Sequence, residues 1–161
     1  MQQKEYETAV NSFLDDIYRL ALSITCNDAD AKDVCQNVFL KLYKSDKSFK
    51  SQEHLKNWLL KCAANEARSI HRSFWKRNVN CSLPEGEIKD QDLYPAGKEL
   101  LGLIARLPKA ERTVIHLFYF EGYTTQEIAD LLSLSQSAVT TRLYRARKKL
   151  KVTMEGEFKD A

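Results

Sequence analysis

Neither glycine nor proline occurs before Pro84, although the 161-residue chain holds five glycines and three prolines. In a helix interior glycine costs about 1 kcal/mol and proline about 3 kcal/mol relative to alanine, and the tight turns that join strands depend on such residues. A long opening stretch free of both therefore reads as helices joined by short polar turns. Pro84, Gly86, Pro95 and Gly97 then crowd into fourteen residues. That crowded stretch, from Cys81 to Gly97, is acidic and lacks apolar periodicity, as expected of a linker.

Apolar spacing supports the helical reading on both sides of the linker. Val10, Phe13, Leu14, Ile17, Tyr18, Ala21 and Ile24 recur every three or four residues, as do Ala31, Val34, Cys35, Val38, Phe39 and Leu42. Leu55, Trp58, Leu59, Cys62, Ala63, Ala67 and Ile70 form a third set. Three amphipathic helices sharing a core are expected. The fold class is accordingly all-α: a helical domain over residues 1–80, a flexible acidic linker over 81–97, a second small helical domain over 98–154, and a tail over 155–161.

Within the second domain, Lys98–Leu107 reads as one helix, and Pro108 suits the first turn of the next. The apolar run Val114, Ile115, Leu117, Phe118 stops at Gly122, a natural left-handed terminator. Thr124-Thr125-Gln126-Glu127 fits a capping box opening a short helix through Leu132. Ser133-Leu134-Ser135 is a polar turn, and Ser135 can cap a final helix from Gln136 to about Val152. A short capped helix, a three-residue turn and a longer basic helix make a helix-turn-helix, the device that enters a DNA major groove.

Charge sharpens this reading. The net charge of +3 conceals blocks of opposite sign: residues 131–154 hold six cations and no anion, and residues 61–80 hold five cations and one anion. Residues 81–99 hold two cations against five anions. Successive helical residues lie about 100° apart, which puts Val139, Leu143, Ala146 and Leu150 on one inward stripe. Ser137, Thr141, Tyr144, Arg145 and Lys148 project from the other side, offering the hydroxyls and cations that read base edges and grip phosphates. A solvated basic helix end explains only the final lysines, not an acid-free run following a capped turn.

The first domain has its own basic stripe: Lys61, Asn65, Arg68 and Arg72 fall on one side of the helix that contains Trp58. Upstream, Phe49 and His54 lie among lysines, and aromatic rings beside cations suit unstacked bases. The same rings at helical spacing also suit a core, and both readings stay open on pattern alone. Glu66 falls on the apolar side of the wheel, where a cation at the domain's edge is the expected partner.

Several classes are excluded. No apolar run approaches the roughly 18 residues of a membrane span, and the N-terminus lacks the basic-then-apolar layout of a secretory signal, so a soluble intracellular protein is expected. Cys26, Cys35, Cys62 and Cys81 form no C-x-x-C pair. Buried thiols are expected, with no disulfide, metal or cofactor. His54, His71 and His116 are scattered, and no catalytic motif or phosphate-cradling glycine loop accompanies them, so no active site is expected.

Three stretches in this order and separation carry a resemblance: Asp30–Tyr43, Trp58–Asn65, and Leu107–Arg147, the last containing Phe120-Glu-Gly-Tyr-Thr-Thr-Gln-Glu-Ile-Ala129 and Val139-Thr-Thr-Arg-Leu-Tyr-Arg-Ala-Arg147. From about Phe13 to Leu150 the chain resembles the extracytoplasmic-function sigma factors of bacterial RNA polymerase. The resemblance implies a cytoplasmic, monomeric, non-catalytic promoter-specificity subunit. Asp33, Gln36, Asn37 and Leu40 would dock on the coiled coil of the largest core RNA polymerase subunit. The loop Lys44 to Leu55, with Phe49, Trp58, Lys61 and Asn65, would capture a flipped base of the melted minus-ten promoter DNA, as single strand. The helix-turn-helix would read the minus-thirty-five duplex through Ser137, Thr140, Thr141 and Arg145, and the linker would run toward the RNA exit path.

Two positions depart from the family's pattern. Gln36-Asn37 stands where Gln-Glu is usual, removing one charge from the docking helix. Thr140 stands where a base is common, and a threonine cannot neutralise a phosphate. An anti-sigma protein clamping both domains is a further partner implied by the family. The rival from another class is a conventional helix-turn-helix regulator that never joins polymerase, its residues 1–80 serving dimerisation or sensing. A dimerisation bundle would not require the Asp33–Asn65 block.

Overall fold

The computed structural model describes the backbone of residues 1–74 and 98–159, and the side chains of 1–70 and 102–152. The expected linker, and Trp75 to Asn80 before it, lie outside the described residues. All described regular structure is helical, and the chain divides into two compact units, Met1–Asn80 and Cys81–Ala161.

The first unit is a three-helix bundle of α1 (Gln3–Thr25), α2 (Asp28–Lys44) and α3 (Gln52–Phe74), each packed on the other two. Polar caps set their starts. Gln2 and Glu5 form a reciprocal capping box on α1, the Asn27 side chain accepts from Asp30 N–H on α2, and the Ser51 hydroxyl accepts from His54 N–H on α3. The bundle buries Ile17, Leu20, Leu22, Ile24, Leu42, Leu59 and Leu60 almost completely, and Ala63, Ala64 and Ala67 let α3 approach its neighbours closely. The Tyr18 hydroxyl on α1 donates to the Asp28 carboxylate, which is also held within α2 by Lys32 at 2.8 Å, so one bond crosses the α1–α2 turn to an anchored acceptor.

Cys26 ends α1 in the left-handed conformation at φ 52°. Cys35 and Cys62 are free thiols, as expected, but Cys26 is disulfide-bonded, its partner lying outside the described residues. The expectation of uniformly free thiols fails there because Cys26 is buried, at 5% exposure, and spacing cannot tell a buried thiol from a buried disulfide sulfur. Glu66 also departs from expectation: among the described residues its carboxylate meets no cation but accepts from Asn37 Nδ2 on α2 at 3.0 Å.

The second unit contains α4 (Lys98–Ala105), α5 (Lys109–Ile115), a wider π-helical segment (His116–Phe120), α6 (Thr125–Leu132) and α7 (Gln136–Lys159). Pro108 is the residue before α5 rather than its first helical residue, and the buried Arg112 guanidinium donates back to Leu107 C=O at 2.8 Å. The π segment is closed by Glu121 N–H donating to His116 C=O at 3.1 Å, and Gly122 turns the chain at φ +74°. Helices α5, α6 and α7 share a core of Val114, Leu117, Ile128, Leu132, Val139 and Leu143. Helix α7 continues well past Val152, because the single Gly156 costs only about 1 kcal/mol and no stronger breaker follows.

Candidate nucleic-acid interface

Helix α6 starts with the capping box anticipated at Thr124: Glu127 N–H donates to Thr124 Oγ1 and Thr124 N–H donates to Glu127 Oε1, both at 3.1 Å. Ser133 adopts the left-handed conformation at φ 57°, and the Ser135 hydroxyl accepts from Ala138 N–H at 3.1 Å. Gln136 Nε2 donates to Thr125 Oγ1 at 3.0 Å, linking the first turns of α6 and α7 across the bend. These bonds hold two helices at a sharp junction with few residues, as a groove-reading pair requires.

On α7, Val139, Leu143 and Ala146 are buried and Leu150 is half-buried. Ser137, Thr140, Thr141, Tyr144, Arg145 and Lys148 are all exposed and lie along one side. Thr140 Oγ1 already donates to Gln136 C=O at 2.9 Å, so toward a ligand it offers lone pairs and a methyl group. Two further α7 cations are engaged within the unit. Lys149 Nζ bridges both oxygens of the buried Glu111 carboxylate at 2.9 and 3.0 Å. Arg147 Nε donates to Tyr119 Oη at 2.6 Å, its guanidinium resting 5.3 Å from the Phe118 ring centre and 5.4 Å from that of Tyr119. The widened π turn delivers these rings to α7, a role that a 3–4 residue apolar pattern does not reveal. Beneath them His116 is wholly buried, stacked near Phe120, with Nε2 3.4 Å from Glu121 Oε1.

In the first unit, Phe49 and Trp58 meet edge to face with ring centres 5.5 Å apart, and Phe49 meets His54 in the same way at 5.4 Å. All but His54 of this trio is half-buried; His54 is exposed, its Nδ1 accepting from Lys50 N–H at 3.2 Å. Lys61 and Asn65 are exposed and Arg68 is half-buried. The Arg72 side chain lies outside the described residues. Trp58 also lines an open cleft of about 540 Å³, with Asn37, Leu40, Lys41, Lys44, Ser45 and Lys47 around it, and the Lys47 ammonium stands 5.7 Å from the Trp58 ring centre.

Lys41 was not singled out by sequence, since a lysine in the last turn of α2 is already accounted for by its dipole, whereas Lys44 and Lys47 entered only as cations of the loop around Phe49. The cleft joins them to the aromatic cluster, giving one concavity with a π-face and three ammonium groups. Its other wall belongs to the α2 surface, where Asp33, Gln36 and Asn37 are exposed and Leu40 is 47% exposed. An exposed leucine among polar groups has the layout of an apolar anchor within a polar rim.

Burial raises the Cys35 thiol to about 12. Burial also raises the Cys62 thiol, opposed by Lys41, Lys47 and Lys61 and reinforced by Glu66. Both shifts favour the neutral thiol over the nucleophilic thiolate. No helix among the described residues is long and apolar enough to cross a membrane.

Comparison with known proteins bears on both units. Residues 9–77 match the sigma-70 region 2 family and residues 97–150 match sigma-70, region 4. The chain is 30% identical over 158 residues to RNA polymerase sigma factor SigV of Bacillus subtilis (strain 168), covering 93% of this chain and 91% of that protein. It is 26% identical to the ECF RNA polymerase sigma factor SigM of the same organism, covering 86% and 88%. Among solved structures, the sigma factor RpoE from Bartonella quintana, crystallised with the anti-sigma factor NepR, superposes with a TM-score of 0.72 at 19% identity, covering 94% of this chain and 98% of that one. CnrH, in complex with the cytosolic domain of CnrY, does so with a TM-score of 0.67 at 23% identity, covering 96% and 90%. At these identities the two structures speak for the fold alone.

Proposed function

The chain belongs to the sigma-70 family of RNA polymerase sigma factors, within its extracytoplasmic-function group, and from that premise we propose how its residues divide the work of starting transcription. As a sigma factor it directs initiation by core RNA polymerase at promoter DNA. The second unit reads the upstream duplex element by laying α7 in the major groove, with Ser137, Thr140, Thr141, Tyr144, Arg145 and Lys148 toward the DNA. Arginine can take two acceptors of a guanine at once, and the hydroxyls suit either base edges or phosphates. The first unit docks on polymerase through Asp33, Gln36, Asn37 and Leu40. It then holds the melted strand through Phe49, Trp58, Lys61, Asn65, Arg68 and Arg72.

The arrangement that carries this reading is the cleft in the first unit, where an aromatic pair and three lysines meet beside the α2 docking surface. Unstacking a base costs a few kcal/mol, and a ring with a neighbouring cation offsets that cost for any base. A conventional regulator has no need of such a cleft, and SigV resembles this chain along nearly its whole length. The catalytic chemistry of RNA synthesis is then polymerase's own. The protein works as a monomer in the cytoplasm, where polymerase and chromosome are. By analogy with RpoE and NepR, an anti-sigma protein is its expected regulator.

Run-off transcription with purified core polymerase on a library of genomic fragments tests the proposal. Defined start points that appear only when this chain is added support it. A chain that binds palindromic duplex as a dimer and never alters polymerase start sites overturns it.

A further inference from the structure

The α2 docking surface carries a single carboxylate of its own, Asp33, in its exposed group of Asp33, Gln36, Asn37 and Leu40. The structure adds a second from another helix. Asn37 Nδ2 donates to Glu66 Oε1 at 3.0 Å, joining α2 to α3 across 29 positions of sequence. We propose that Glu66, presented across this seam by Asn37, is an anionic contact of the polymerase-docking surface and receives a cationic side chain of core polymerase. The proposal deepens the reading of α2 given above and rests on it.

Glu66 differs from the carboxylates that serve the fold. Asp16 is paired with Arg19 at 2.6 Å, Asp28 with Lys32, and Glu111 with Lys149. Glu66 is half-buried and makes no ion pair with any described residue. Its hydrogen bond among the described residues comes from a neutral amide, which orients the carboxylate without cancelling its charge. A carboxylate has about four acceptor sites, so the Asn37 bond leaves room for a two-pronged guanidinium or an ammonium. Such a partially desolvated, oriented charge is worth more to an incoming cation than a mobile one at the surface.

Position selects the partner. DNA phosphates repel a carboxylate, and Glu66 lies roughly 100° or more around α3 from the stripe of Lys61, Asn65 and Arg68. It faces α2 instead, at the residue one turn from the exposed Leu40. The docking surface then consists of an apolar anchor flanked by carboxylates from two helices, with Asn37 joining Glu66 to α2. Asn37 is a positioning residue in this scheme, and Glu66 is the group that touches the partner.

The test is titration of labelled full-length chain with core polymerase in the absence of DNA, at low and at high salt, alongside thermal melting. Glu66→Gln keeps the shape and removes the charge, and should weaken binding about tenfold, the effect of losing one charge-assisted hydrogen bond. That deficit should shrink as salt rises. Asn37→Glu alone should also weaken binding, because two carboxylates would crowd one seam. The double variant Asn37→Glu with Glu66→Gln should recover to within about threefold of the original, since one oriented charge is restored on the opposite helix. A merely structural role gives no reason for that rescue.

Asp33→Ala and Leu40→Ala are the companion variants that separate the two levels of the reading. If they lose affinity while Glu66→Gln binds as the original does, the proposal for Glu66 is overturned and the docking reading of α2 stands. A fall in melting temperature of Glu66→Gln without loss of affinity overturns it equally, making Glu66 an internal charge. If Asp33→Ala and Leu40→Ala also bind normally, the α2 surface is not the docking site, and both readings fail.

Discussion

Removing the Phe49 ring separates its packing from its proposed work on melted DNA. The ring is half-buried, so truncation to alanine forfeits roughly half of the 1.5–3 kcal/mol that full burial of such a side chain is worth. The two edge contacts, to His54 at 5.4 Å and Trp58 at 5.5 Å, add about 0.5–1.5 kcal/mol each. A total of about 2–4 kcal/mol would lower the melting temperature by roughly 10–30 °C and still leave a domain of ordinary stability folded at 25 °C. Loss of one stacked base is worth about 1–3 kcal/mol, or about 5- to 150-fold in the population of open promoter. Phe49→Leu is the sharper variant, keeping apolar volume while removing the π-face. Permanganate reactivity of promoter thymines, with polymerase saturating, should fall several-fold or more for both variants at 25 °C. If both melt less stably but open the promoter as the original does, the ring is core packing and the capture reading of this cleft is wrong.

Four further outcomes follow from the same geometry. Arg145→Ala should weaken recognition of the upstream duplex element by about 1–3 kcal/mol in competition binding, and the loss should disappear on templates lacking that element. Thr124→Ala should cost about 1 kcal/mol by breaking the α6 capping box, seen as a lower melting temperature; an unchanged temperature would mean that Glu127 alone holds the helix start. With the Cys35 thiol raised to about 12 by burial, only about one in 10⁴ is ionised at pH 8, so a thiol-specific disulfide reagent should modify it in the native chain far more slowly than after guanidinium unfolding. Duplex binding by the isolated chain should be weak and fall about a hundredfold between 50 and 200 mM salt; tight, salt-insensitive binding would contradict the contact count on α7.

Local features were the legible part of this molecule. The absence of breakers before Pro84, the 3–4 residue apolar spacing and the Thr124–Glu127 box each act over a single turn or helix, and the helices and cap they forecast are present. What escaped is nonlocal or has no distinctive period. A π turn and an α turn carry the same apolar run, so His116–Phe120 looked like ordinary helix. The Asn37–Glu66 bond joins residues that no helical wheel relates, and a wheel could mark Glu66 only as out of place. Lys41, Lys44 and Lys47 come together with Trp58 only once α2 and α3 are packed. Cys26 is buried like the core residues around it, and spacing cannot tell its bonded sulfur from a free thiol.

The commitments of the α7 cations bear on how the proposed duplex recognition by the second unit would reach a useful affinity. Of the six cations in residues 131–154, Lys149 is held by Glu111 and Arg147 by Tyr119 and Phe118. Arg142 is half-buried, which leaves Arg145, Lys148 and Lys151 exposed and without such an engagement among the described residues. Even counting Arg142, about four phosphate contacts give a salt exponent near 3.6, far below that of proteins that hold DNA tightly alone. The engaged pair serves a different end: it pins the recognition helix to α5 and the π segment, so the few remaining contacts are made from a rigid surface with little ordering cost. Such a surface discriminates better than it binds. Discrimination then has an effect on transcription only if another body supplies the affinity, and the first unit, in its proposed docking on polymerase, would do so by raising the local concentration of α7 at the promoter without adding a contact of its own.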